Sequence, residues 1–81
     1  MSDQIGAVSL TVPAATDHIR FARLLVSGMA DKVGFDYDAI EDLRIAVHEL
    51  CVHLVAQVDT GQDIHLRVVG RVDEIDIEAE R

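Results

Sequence analysis

The sequence predicts a small α+β protein, a two-layer sandwich in which two helices cover one face of a short sheet. Two stretches carry apolar residues at steps of three and four, and three shorter ones alternate apolar with polar residues. These come in the order strand, helix, helix, strand, strand. At 81 residues a single domain is expected, with a thin core, since a chain this short buries only about 60% of the surface its unfolded form exposes. Residues 1–6 read as an N-terminal tail and 7–81 as the domain.

Val8, Leu10 and Val12 alternate with Ser9 and Thr11 and stop at Pro13, which removes the next ladder donor, so a strand is expected over 7–12. Ile19, Ala22, Val26, Met29 and Val33, with Leu25 beside them, predict an amphipathic helix over 16–33. Thr16 stands where a side-chain cap is wanted, Asp17 in the first turn, and Gly34 where a left-handed residue ends the helix. A second helix restarts within Asp36 to Glu41, with Asp38 and Glu41 spaced as a capping box that has Asp in place of Ser or Thr. Ile40, Leu43, Val47, Leu50, Leu54 and Val58 trace its apolar face, of which Leu43, Val47, Leu50 and Leu54 are expected to be buried. Asp59 to Asp63 is a turn cluster, and Ile64, Leu66 and Val68 alternate with His65, Arg67 and Val69 as the second strand. A turn over Gly70 to Glu74 leads to a third strand, where Ile75, Ile77 and Ala79 alternate with Asp76, Glu78 and Glu80. Ile64, Leu66, Val68, Ile75 and Ile77 form the sheet's apolar face. Its open edge strands imply either a partner or more chain.

Composition narrows the function classes. Hydrophobic residues make up 49% and charged ones 27%, with Phe21, Phe35 and Tyr37 the only aromatics, so the chain is globular with an aliphatic core. Fifteen acidic residues against seven basic ones give a net charge of -8, which repels phosphate backbones and anionic lipid. Neither direct nucleic-acid binding nor membrane-surface binding is expected. Cys51 has no second cysteine to pair with, the N-terminus lacks the basic and apolar regions of a signal peptide, and no apolar run approaches a bilayer's thickness. A cytoplasmic location is the expectation.

His48-Glu49-Leu50-Cys51-Val52-His53 is one residue off the zinc-binding HExxH spacing. Five helical steps put the two histidines roughly 140° apart around the axis, so no metal site is expected. Glu49 and His53, four apart, share a stripe with Asp42, Ala46 and Gln57 and can pair. Cys51 reads as a small core hydrophobe. There is no Gly-x-Gly-x-x-Gly, P-loop or Asp-x-Gly-x-Gly segment. Arg20 and Arg23, with His18, make one basic patch, open either to ordinary pairing with nearby carboxylates or to contact with an acidic partner.

Taken in order, Leu10-Thr11-Val12-Pro13-Ala14, Ile19-Arg20-Phe21-Ala22-Arg23 and above all Asp42-Leu43-Arg44-Ile45-Ala46-Val47-His48-Glu49-Leu50-Cys51 resemble the opening of the anti-sigma factor serine kinases. These belong to the GHKL ATPase superfamily, and the likeness is nearest to the actinobacterial anti-sigma-F type, over about residues 7–80. It implies the N-terminal half of a GHKL (Bergerat-type) ATPase fold. In that family a helix-two Glu helps activate the attacking hydroxyl, and an Asn four residues later holds Mg²⁺ under the ATP phosphates. Glu49 matches the Glu, as the candidate catalytic residue. His53 stands in the place of the Asn, and a neutral imidazole is a poorer ligand for a hard, oxygen-seeking cation.

The family's glycine-containing boxes would begin near or beyond Arg81, so no cofactor is expected for this chain, and ATP and Mg only where a C-terminal half is present. The resemblance thus implies an anti-sigma-factor-like regulator with a degenerate ATP site, binding a sigma factor or an anti-anti-sigma partner through Arg20 and Arg23. It also implies a homodimer using the first strand and its neighbouring edge. The alternatives are a truncated ATP-dependent serine protein kinase acting on an anti-anti-sigma factor, and a structural dimerisation module.

Overall fold

A computed structural model of the chain describes residues 4–59 and 61–81. Strand β1 runs Gln4–Pro13, helix α1 Ile19–Val33, helix α2 Tyr37–Ala56, strand β2 Asp63–Arg71 and strand β3 Glu74–Glu80. The three strands form one antiparallel sheet in the order β1-β2-β3. Val8 faces Val68, which faces Ile77, and Leu10 faces Leu66, which faces Ala79. These rows lie on the sheet side that meets the helices.

The core joins Ile19, Ala22, Val26 and Met29 of α1 to Val47 and Cys51 of α2 and to Leu66 and Val68 of β2. Helix α1 touches all three strands, whereas α2 packs chiefly on α1 and reaches the sheet at β3. That placement decides which face of α2 is buried. The contact line is Leu43, Val47, Cys51, Val55, a run of four-residue steps. Leu50, expected in the core, lies about 100° back around the axis from Cys51 and is 38% exposed. Leu43 and Leu54 are only half-buried, so Val47 alone of the four expected residues is fully enclosed.

Element boundaries differ from expectation where backbone geometry overrides side-chain pattern. Thr16–His18 is a 3₁₀ turn and α1 begins at Ile19, with no side-chain cap on either, so Thr16 does not cap. The α2 cap is Asp36, not Asp38: its Oδ1 accepts from the Ala39 amide at 2.8 Å, and Asp38 sits in the first turn. Gly34, at φ 101°, ends α1 as expected, its N–H bonding the Ala30 and Asp31 carbonyls. The first strand starts inside the expected tail, with an irregularity between Gln4 and Gly6. Of the turn expected at 59–63, Thr60 lies outside the described residues and Asp63 is already in β2.

The turn expected over Gly70 to Glu74 shrinks to Val72 and Asp73, with Asp73 left-handed at φ 61°. Gly70 is instead a strand residue pressed under α1. A Cβ there would lie 2.6 Å from Met29 Sδ and 2.8 Å from Val33 Cγ2, so a larger residue would have to push these α1 side chains aside.

Candidate functional site: the seam between the two helices

Helix α1 turns Arg23 toward α2, and α2 turns His48 back toward α1. Arg23 Nη1 lies 2.6 Å from His48 Nδ1. Arginine has donors only, so the contact is a hydrogen bond only with Nδ1 as its acceptor. The pair lines a groove of about 240 Å³ with Glu41, Arg44, Ile45 and Glu49. Arg44 donates to Glu41 Oε1 at 2.6 Å, one turn away on the same helix. Ile45, 57% exposed, adds an apolar side chain to the lining. Two cations, two carboxylates, an imidazole and an exposed aliphatic side chain suit recognition of a polypeptide surface.

The candidate residues separate. Arg20 and Arg23 are three apart but face different ways: Arg20 donates through Nε to its neighbour Asp17's carbonyl at 3.4 Å and lies over the Phe21 ring at 5.7 Å. His18 pairs with Asp17, 3.1 Å away. Glu49 is exposed on the groove rim. His53, also exposed, receives the Gln57 side-chain amide on Nε2 at 2.6 Å, so the ring turns onward along the helix instead of back toward Glu49. Cys51 is buried in the core, where desolvation pushes its thiol pKa up. Among the described residues no group of His, Cys, Asp and Glu is placed to hold a metal ion, and no helix is long and apolar enough to cross a membrane.

Pairing of Arg23 with His48 escapes sequence reading because the two are 25 positions apart on different helices. The Arg44 to Glu41 pair had a local signal, opposite charges at i, i+3. On the sheet's other face, cross-strand rows run Ser9, Arg67, Glu78 and Thr11, His65, Glu80. There Thr11 Oγ1 and His65 Nδ1 are 3.0 Å apart and Arg71 pairs with Asp76 at 2.7 Å. Val69, expected to point outward, does so yet is only 4% exposed, flanked along β2 by the long stems of Arg67 and Arg71.

Fold and seam together define a small α+β domain whose two helices hold a charged groove over an antiparallel sheet. No protein-family model matches the chain. The chain is 35% identical over 63 residues, 78% of its length, to the serine-protein kinase RsbW of Bacillus pumilus, covering 39% of that protein. It is 41% identical over 63 residues to RsbW of Listeria monocytogenes, 78% of the chain and 40% of that protein. With RsbW of Halalkalibacterium halodurans it shares 46% over 52 residues, 64% of the chain and 32% of that protein. The chain is thus similar to the RsbW serine-protein kinases, and it spans about two fifths of the length of the curated relatives it matches.

Proposed function

We propose that this chain is an anti-sigma-type regulator, built as the N-terminal half of a GHKL ATPase fold, that works by binding a sigma factor or an anti-anti-sigma protein. Kinship with RsbW supports the class. The observation that carries the mode of action is the helix seam: Arg23 and Arg44 present guanidinium groups beside exposed Ile45 on a chain of net charge -8. On an acidic protein such a cationic point gives an acidic partner patch a complement that sets register and steers encounter. Docking requires no chemistry, only occupation of a surface the partner uses elsewhere.

Arg20 and Arg23 would then act as separate contacts, one on the outward side of α1 and one in the seam. The test is charge reversal, Arg20→Glu and Arg23→Glu singly and together, with titration of purified sigma factor and anti-anti-sigma protein. Each reversal is expected to weaken the complex at least tenfold, about 1.4 kcal/mol, and to flatten its salt dependence. Unchanged affinity across salt concentrations would remove these residues from the interface.

A second reading, a serine protein kinase of which this chain is a portion, is favoured by the name its relatives carry and by Glu49, exposed where a base can reach substrate. We weigh it lower. Phosphoryl transfer rests on positioning and charge neutralisation, for which α2 would have to hold the metal under the phosphates. The donors on α2 suit Mg²⁺ poorly: His53 offers nitrogen, and its Nε2 already accepts from Gln57. Calorimetry with Mg-ATP on this chain is expected to be silent, and on His53→Asn as well. Low-micromolar binding by the unaltered chain would promote the kinase. Self-association through β1, or a purely structural dimerisation role, needs only the sheet edge.

A further inference from the structure

We propose that the Arg23 to His48 contact is a proton-operated latch: neutral His48 holds the Arg23 guanidinium across the seam, and protonated His48 frees it to meet a carboxylate on a docking partner. The consequence for docking rests on the reading of Arg23 given above; the latch itself does not.

Arginine is a donor at every physiological pH, so the 2.6 Å separation requires a lone pair on His48 Nδ1. A protonated imidazole carries N–H on both nitrogens and has no acceptor. Proton uptake therefore does more than loosen the contact. It replaces a charge-assisted hydrogen bond with two cations at close range. Arg23 is only half-buried and sits on a long flexible stem, so it can swing out without disturbing the core beneath.

The groups facing His48 fix the sign of the effect. Helix α1 contributes Arg23, and α2 contributes Glu41, Arg44 and Glu49, over the apolar Ile45. Strand β3 meets α2 and adds no residue to this lining. Two arginines against two glutamates leave the groove formally neutral while His48 is neutral, and protonation makes it +1. On a chain of net charge -8 that makes the groove a local positive site. Glu41 is already taken by Arg44 at 2.6 Å, so of the groove's own carboxylates Glu49, on the rim, is the one that competes with a partner's carboxylate for the freed Arg23. Protonation of His48 is thus expected to open a seat for an acidic partner side chain.

Nitrogen-15 NMR of the free chain tests the latch, with acetate as the carboxylate probe. At about pH 8 His48 is expected as the Nε2–H tautomer, and lowering the pH to about 5.5 should move the Arg23 guanidinium signals along the same curve as the His48 ring signals. In His48→Gln the Arg23 signals should stay put. Acetate should perturb Arg23 several-fold more at about pH 6 than at about pH 8 in the native chain, and equally at both in His48→Gln. An Nδ1–H tautomer, Arg23 signals indifferent to His48 titration, or acetate responses independent of pH in the native chain would each overturn the latch. The first two readouts need no variant, so a His48→Gln that failed to fold would leave them standing. Failure of the docking reading is seen elsewhere, as unchanged partner affinity on reversing Arg23 while the latch signals persist.

Discussion

Val47 and Leu50 are three positions apart on the same helix, and both fit an apolar stripe, yet only Val47 is enclosed, at 2% exposure. Val47→Ala removes two methyl groups from a core with little else to spare and is expected to cost about 2 kcal/mol. Thermal melting should fall by roughly 8–16 °C for a domain of this size. Leu50→Ala should shift it far less; equal losses would mean that α2 is rotated from its described register. Cys51 shares the buried line, and its thiol pKa is raised by desolvation, so the folded state favours the protonated form. In the unfolded chain the thiol ionises at about pH 8.5. Above that pH the unfolded state sheds a proton that the folded state keeps, so stability is full below it and falls as pH rises. Cys51→Ala should abolish that part of the alkaline loss in denaturant titrations at pH 7 and pH 10, and an identical loss in both proteins would remove the thiol as its cause.

Helix α2 is 20 residues long, enough to span the molecule, but it begins right after the left-handed Gly34 and must be started locally. Asp36 does this with its carboxylate on the Ala39 amide, 2.8 Å away, where it also meets the positive end of the helix dipole. Asp36→Ala is expected to cost about 1 kcal/mol, and Asp38→Ala much less, since Asp38 makes no cap. Circular dichroism during thermal unfolding would read both; the reverse order would restore the capping box at Asp38. The same segment shows how legible the elements were. Both helices, all three strands and the Gly34 stop stand in the apolar periodicity. The caps do not, because Asp36 and Asp38 are the same residue type two positions apart, and only the chain's path out of Gly34 selects between them.

For the molecule as a whole, β1 and β3 are both edge strands of a three-stranded sheet. Val8, Ile5 and Leu24 stay exposed near the β1 edge, and such edges favour pairing with another chain. A concentration-dependent dimer is expected in sedimentation equilibrium, with a melting temperature that rises with protein concentration. Lys or Pro placed at Ser9 should return it to monomer. A monomer at high micromolar concentration with full cooperative stability would contradict self-association and leave partner docking through the helix seam as the sole interaction.

Whatever repeats locally is legible in the sequence: the strand and helix order, the inward rows of the sheet, an aliphatic core, and the resemblance seen in Asp42 to Cys51. These are legible because periodicity is set by the backbone of each element alone. Which side of α2 is buried, how closely α1 presses on Gly70, and that Arg23 meets His48 follow from tertiary packing alone. Each depends on how α1 lies across the sheet and how α2 leans on α1. A helix presents the same stripe of side chains whatever it packs against; the packing partner chooses which edge of that stripe is covered, and whether a charge 25 residues away arrives within 2.6 Å of an imidazole.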